Sequence, residues 1–268
     1  VAPSPTIVEV DDPADPRLVE VAGLKDAAAR ARTDAAHGCF VVEGLLCLEI
    51  AASSPYPLRS VLVSDTKLGR VLPLLAGIDV DVFVGSPALL EEVTGYAIHR
   101  GVVASAGRLP LPRPEELVAG GRRMVVVEGL NDHENLGALF RNAAAFALDA
   151  VLLDPTTADP LYRRSVRVSL GHVLRVPWTR VGALPDGLEV LRDAGVPTVA
   201  LTPAGEITIH DVDGGPVAWI IGAEGPGLSA ATMAAADQRA RISMAPGVDS
   251  LNVATAAAVA FALSAPDR

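Results

Sequence analysis

The sequence is poor in cysteine, in aromatic residues and in positive charge, and it has no long hydrophobic run. Cys39 and Cys47 are the only thiols among 268 residues. Two thiols in a chain of this size make no disulfide framework, and their spacing fits no zinc pattern. They are expected as buried free thiols. Aromatics make up 4% of the residues while alanine, valine and leucine dominate, which suits an α/β fold better than an aromatic-rich β-sandwich. The longest apolar stretch, Val253 to Ala265, is too short to span a bilayer and is expected as a buried helix. The opening Val1-Ala2-Pro3-Ser4-Pro5 has neither the basic patch nor the apolar core of a signal peptide. These absences predict a cytoplasmic protein that uses neither a membrane nor a metal.

The formal net charge is −10. As a sum, that argues against nucleic acid as a partner. The distribution argues the other way. Arg163, Arg164, Arg167, Arg175 and Arg180 lie between Pro160 and Pro185, a stretch without Asp or Glu. Such a patch can meet phosphates. A solvated helix face has the same composition, and both readings stand at this point.

Half of the residues are hydrophobic, enough for one large or two modest cores. After a polar start with a helical stretch at 18–32, short apolar strands at 40–43, 59–64, 80–84 and 101–104 alternate with helical runs at 44–52, 68–75 and 87–93. This predicts a small, mostly parallel α/β domain over 1–107. Residues 108–120 hold Pro110, Pro112, Pro114 and Gly120-Gly121 follows, which reads as a linker. The second domain, 121–268, repeats the alternation more strongly. Strands are predicted at 124–127, 150–153, 173–176, 197–201, 217–221 and 240–244, with helices at 136–146, 161–170, 184–194 and 251–263.

Three strand–loop–helix junctions carry polar residues where parallel α/β folds bind ligands. The first, Asn131 to Asn142, places Asn135 as a helix cap and Arg141 one to two turns further on. The second, Gly222-Ala223-Glu224-Gly225-Pro226-Gly227, is a glycine-rich turn. Its spacing is not that of a dinucleotide fingerprint, and Glu224 would repel a phosphate but suits a cation or a ribose hydroxyl. The third, Ile242 to Ala254, offers Ser250 as a cap and Asn252 in the first turn of an almost wholly apolar helix, where it needs a hydrogen-bond partner. Taken singly, each also reads as a capped helix or a plain tight turn.

Together, in order, NLGALFR (135–141), GAEGPG (222–227) and SLNVA (250–254) resemble the three signature motifs of the SpoU (TrmH) family of SPOUT methyltransferases. SVRVSLGHVLRVPW (165–178) resembles the segment between the first two. FVVEG (40–44) and HRGVVA (99–104) resemble the small domain often fused ahead of the catalytic one. The sequence departs from the family pattern at Arg100, Ala147, Ser243 and Ala254, positions more often glutamine, glycine, proline and serine.

The resemblance implies an α/β fold with a C-terminal SPOUT-type domain, a parallel sheet and a deep trefoil knot, behind a small α/β substrate-binding domain. It implies S-adenosylmethionine as cofactor and methyl transfer to a ribose 2′-hydroxyl of RNA, either rRNA or tRNA, by a homodimer joined through the knotted domain. The cofactor residues would be Leu201, Thr202, Gly222, Glu224, Gly225, Ile242, Met244 and Leu251. The catalytic set would be Asn135, Arg141, Glu224, Ser250 and Asn252, with Arg163, Arg164, Arg167 and Arg175 on the RNA. A guanidinium stays protonated, so Arg141 would serve as a charge donor rather than a base. A catalytically silent RNA-binding protein on the same fold is the alternative. A Rossmann dehydrogenase is disfavoured by the glycine spacing.

Overall fold

The computed structural model describes residues 3–97 and 101–264. His99 and Arg100 of the HRGVVA segment lie outside the described residues. The chain divides into two units, Val1–Leu109 with Leu161–Arg175, and Pro110–Pro160 with Val176–Arg268.

The first unit is built on a five-stranded sheet of β1 (Thr6–Glu9), β2 (Cys39–Glu43), β3 (Leu58–Ser64), β4 (Asp81–Gly85) and β5 (Val102–Gly107), in the order β1-β4-β3-β5-β2. β1, β4 and β3 are parallel, whereas β5 runs antiparallel to both β3 and β2. The sheet is therefore mixed, with β1, β2, β3 and β4 running one way and β5 the other. The reason lies in the last connection. The chain reaches Gly101 at the carboxyl end of β3, where Ser64 N–H donates to the Gly101 carbonyl at 3.0 Å, so β5 starts from that end. A strand buried on both faces is an apolar run in either direction. The helix expected over 18–32 is displaced to Ala27–His37. Asp26 caps its amino end by accepting from Ala28 and Ala29 N–H, and left-handed Gly38 ends it. Leu18, Val21 and Leu24 are fully buried ahead of that helix. β1 is only four residues long and largely exposed, and was not expected.

The segment Leu161–Arg175 belongs to this first unit, not to the second domain in which the sequence reading placed it. Left-handed Gly171 packs so closely on the helix Leu45–Ala52 that an added Cβ would stand 3.1 Å from Ile50 Cβ. Cys39 and Cys47 are buried free thiols, as expected.

The second unit has seven strands, all parallel. They are β6 (Arg123–Glu128), β7 (Ala150–Leu153), β8 (Trp178–Arg180), β9 (Thr198–Leu201), β10 (Ile207–Thr208), β11 (Val217–Gly222) and β12 (Gln238–Arg241), ordered β10-β12-β9-β11-β6-β7-β8. The strand expected at 173–176 is a single 3-10 turn, His172–Leu174, and the true strand follows it at β8. The last strand ends at Arg241, so Ile242 and Met244 lie in the loop beyond it. Residues 108–120 are not a loose linker. Pro114–Val118 is a helix whose Val118 joins the core of this unit, and Thr179 Oγ1 donates to the Pro112 carbonyl at 2.6 Å.

On the other face, the helices His133–Ala145 and Val253–Leu263 pack on one another. Asn142 Nδ2 donates to the Ala254 carbonyl at 2.7 Å, and Ala257, Ala260 and Phe261 are fully buried. The chain comes back to this helix from β12, past β9 and β11, a path consistent with the expected knot. The loop after β9 crosses β12 at Gly205, where a Cβ would lie 2.3 Å from the Ala240 carbonyl carbon. Arg241 fixes the crossing by donating to the Gly205 and Glu206 carbonyls at 2.6 and 3.0 Å. Among the described residues no helix is long and apolar enough to cross a membrane.

Ala147, one of the departures from the family pattern, has φ +52° just past the helix His133–Ala145. Its N–H and that of Leu148 close the helix on the Ala144 and Ala143 carbonyls, the place where glycine avoids the left-handed penalty. Ala147→Gly should therefore stabilise the protein by about 1 kcal/mol, measured as a higher urea midpoint with unchanged slope.

Candidate active site

Side-by-side parallel strands bring their following loops to one edge of the sheet. β12, β9, β11 and β6 are neighbours in that order, so the three polar junctions meet although they are far apart in sequence. The glycine-rich turn after β11 folds back on itself. Gly227 N–H donates to the Ala223 carbonyl at 3.0 Å, with Gly225 and Gly227 both left-handed. A Cβ on Gly222 would stand 2.3 Å from the Gly227 carbonyl carbon, so no other residue fits there. Glu128, at the end of β6, holds the far side of the turn. Its carboxylate accepts from Ser229 N–H at 2.9 Å and from Thr232 Oγ1 at 2.7 Å, while Ser229 caps the short helix that follows.

The caps differ from expectation in two places. Asp132, not Asn135, caps the helix His133–Ala145, and Asn135 sits in its first turn with its N–H on Asp132. Asn252, not Ser250, caps the final helix, its Oδ1 accepting from Ala254 and Thr255 N–H at 3.0 and 3.2 Å. In both cases the residue before the apolar pattern has a side chain short enough to fold back on its own helix. Capping fixes which way the Asn252 amide faces. Its Nδ2 then donates to Asn135 Oδ1 and to Glu224 Oε1, each at 2.7 Å. One side chain thus joins all three junctions.

Behind this junction is a cavity of about 720 Å³. Leu201 and Thr202 line it from the end of β9, and Gly222, Glu224 and Gly225 from the glycine turn. Ile242, Met244 and Leu251 line it from the last loop, together with Ser250 and Asn252. Every residue expected at the cofactor is on this wall. Sequence reasoning missed Met233, Asp249, Val253 and Ala256, which also line it. Val253 and Ala256 share a helix face by their spacing, which was a usable signal; Met233 had none. Arg141 is not on the wall. It is exposed, six residues beyond Asn135 and so about 9 Å further along the helix axis. Among the described residues no hydrogen bond or ion pair holds it. No group of acidic, histidine or cysteine side chains among them is placed to bind a metal ion.

The family model described as the SpoU rRNA methylase family matches residues 122–262. The chain belongs to the SpoU rRNA methylase family. A protein of Mycobacterium tuberculosis named as an uncharacterized tRNA/rRNA methyltransferase is 41% identical over 260 residues, 95% of this chain and 90% of its own. An AdoMet-bound rRNA methyltransferase from Sinorhizobium meliloti superposes with a TM-score of 0.82 over 96% of this chain and 97% of its own, at 23% identity, a likeness of fold. A solved RNA 2′-O ribose methyltransferase is 27% identical, with a TM-score of 0.77 over 97% of this chain and 98% of its own.

In this SpoU-family chain the arginines expected on RNA are not a free patch. In the first unit, Glu43 at the end of β2 faces Arg163 and Arg167 at 3.7 and 3.6 Å. Arg163 also lies over the Tyr96 ring, 5.4 Å from its centroid, and donates to the Tyr96 hydroxyl, which itself donates to Glu43 at 2.9 Å. Burial, then the Glu43 charge, push the Tyr96 hydroxyl up to about 12. Arg175 donates to Ser53 Oγ at 2.8 Å, and Arg164, though exposed, is partnered too. The stretch has no acid in sequence, but the fold supplies one. Two of the four arginines are therefore neutralised within their own unit.

Replacing Asn252 by alanine removes a cap and both bridging bonds. Asn252→Ala should cost about 1 kcal/mol in a urea titration, the usual worth of an N-cap.

Proposed function

We propose that this protein transfers a methyl group from S-adenosylmethionine to a ribose 2′-hydroxyl in structured RNA, rRNA rather than tRNA. The observation that carries the reading is the junction of Asn135, Glu224 and Asn252 at the mouth of a cavity walled by the loops after β9, β11 and β12. The residues present suit the cofactor. The cavity is within the roughly 300–1,000 Å³ common for such ligands. Ile242, Met244, Leu251 and Val253 offer apolar surface for an adenine. Glu224 keeps Oε2 for a hydroxyl or a cationic sulfur, since Oε1 is taken by Asn252.

When bound, the cofactor supplies a methyl group made electrophilic by the attached sulfonium. The chain supplies orientation and charge. Asn135 Oδ1 is committed to Asn252, which leaves its Nδ2–H to donate to the ribose or an adjoining phosphate. Arg141 is permanently cationic and unpaired, suited to a phosphate or to the negative charge developing on the attacking oxygen. The proton leaves through an RNA phosphate or solvent. Ser250, on the cavity wall, completes the set. Binding of RNA would draw on the surface arginines Arg164 and Arg175, with Arg163 and Arg167 shaping the first unit. A homodimer joined through the second unit is part of the same reading.

The test is a map of 2′-O-methyl marks on total RNA with and without the protein; no gained mark would reject the function. A catalytically silent RNA-binding protein would give binding without tritium transfer from labelled cofactor. Arg141→Ala should leave cofactor affinity within about twofold and remove most methyl transfer, since Arg141 stands off the cavity wall. Leu251→Arg should abolish cofactor binding while the chain still folds, because Leu251 is 39% exposed.

A further inference from the structure

We infer that Asp154, acting with Thr157 and Arg180, is the positioning centre that sets where Asn135 stands, an inference resting on the activity proposed above. Only Gly129–Asp132 separates β6 from the helix that carries Asn135. This short loop is stitched to the loop after β7. Gly129 N–H donates to Asp154 Oδ1 at 3.1 Å, Leu130 N–H to Thr157 Oγ1 at 3.3 Å, and Ala158 N–H to the Leu130 carbonyl at 3.1 Å. Gly129 adopts φ +67° to make the turn. Asp132 then caps the helix, and Asn135 N–H is one of the two donors it accepts, at 2.8 Å.

Asp154 is 4% exposed and Thr157 3%. A buried carboxylate needs hydrogen bonds on its oxygens, and this one has four. Besides Gly129, it accepts from Thr157 N–H at 2.8 Å, Thr157 Oγ1 at 2.6 Å and Thr156 Oγ1 at 2.5 Å. Burial pushes its pKa up, but these bonds outweigh burial and hold the carboxyl below the usual carboxylate range. Arg180 closes the loop from β8 without touching the carboxylate. It donates to the carbonyls of Asp154, Thr157 and Ala158 at 2.8, 3.0 and 3.2 Å. Arg180, read from sequence as part of a phosphate-facing patch, is thus spent on backbone.

None of residues 128–135 or 154–158 lines the cofactor cavity. Asn135 meets that wall through the bond it accepts from Asn252, which is held in place by its own helix cap and by Glu224, so loosening the bracket displaces Asn135 while the wall keeps its own support, and the two effects separate in measurement. Asp154→Asn replaces one acceptor by an NH2 that faces donors. Thr157→Val keeps the shape but loses the hydroxyl, and Thr157→Ser restores it. The readouts are tritium transfer from S-adenosylmethionine to unmodified 16S and 23S rRNA transcripts, cofactor affinity by calorimetry, and amide hydrogen exchange. Asp154→Asn and Thr157→Val should lower kcat at least tenfold, with cofactor Kd within twofold. Exchange should rise at least tenfold over 129–135 and stay unchanged over 222–229, with Thr157→Ser close to the parent in all three. Parent-like turnover in both variants, a Kd that worsens in step with kcat, or unchanged exchange at 129–135 would overturn the inference. A parent protein that transfers no methyl to either transcript rejects the substrate reading instead, and the exchange pattern alone then decides the role of Asp154.

Discussion

A primary amide has one acceptor oxygen and two N–H donors, and at Asn252 all three are committed in directions that cannot be exchanged. The oxygen must face the two free N–H groups at the start of the final helix. The nitrogen is then turned toward Asn135 and Glu224. The orientation of Asn135 follows in its turn, because its oxygen is the only atom of its amide able to accept from Asn252. The arrangement of this junction is thus fixed by a helix end, and the helix end is fixed by the buried packing of Ala257, Ala260 and Phe261.

The polar junction contributes little to stability. Its members are exposed or half-buried, and a typical hydrogen bond is worth a net of about 0.5–1.5 kcal/mol. Stability comes from the parallel sheet, where β6, β7 and β11 are buried almost throughout. This division of labour suits a site that must admit a large substrate. The strand ends are held by apolar burial that ligand binding does not disturb, and the side chains at the rim can exchange partners at low cost.

Much of this was legible from the sequence because the signals were local. An apolar run followed by a cap and a polar loop marks a strand end whatever surrounds it, and the three junctions were legible on that basis; the residues expected at the cofactor came from the family resemblance, and they line one cavity. Asn135 and Asn252 were found, but their capping roles were each displaced, because Asp132 and Asn252 compete with neighbours of nearly equal cap propensity. Strand direction was not legible: β5 runs antiparallel because of where the chain arrives at Gly101, and its buried side chains do not record direction. β1 and β10 were missed because they are short and half-exposed. The assignment of Leu161–Arg175 to the first unit was hidden for a related reason, since it depends on Glu43, Tyr96 and the helix Leu45–Ala52, all distant in sequence.

The arginines show how composition misleads when pairing is non-local. A stretch with five arginines and no acid reads as a phosphate surface, yet Glu43 neutralises two of them and backbone carbonyls take up a third, Arg180. Burying a guanidinium against carbonyls or a carboxylate uses its planar fork of donors as a structural staple. Arg141 is different in kind. It stands on the helix His133–Ala145, six residues beyond Asn135, exposed and, among the described residues, unpaired, in a protein whose net charge is −10. In such a field an exposed guanidinium is favourable to an incoming phosphate under the proposed function, as are the exposed Arg164 and Arg175. The overall acidity that argued against a nucleic-acid partner therefore sharpens where that partner is able to dock.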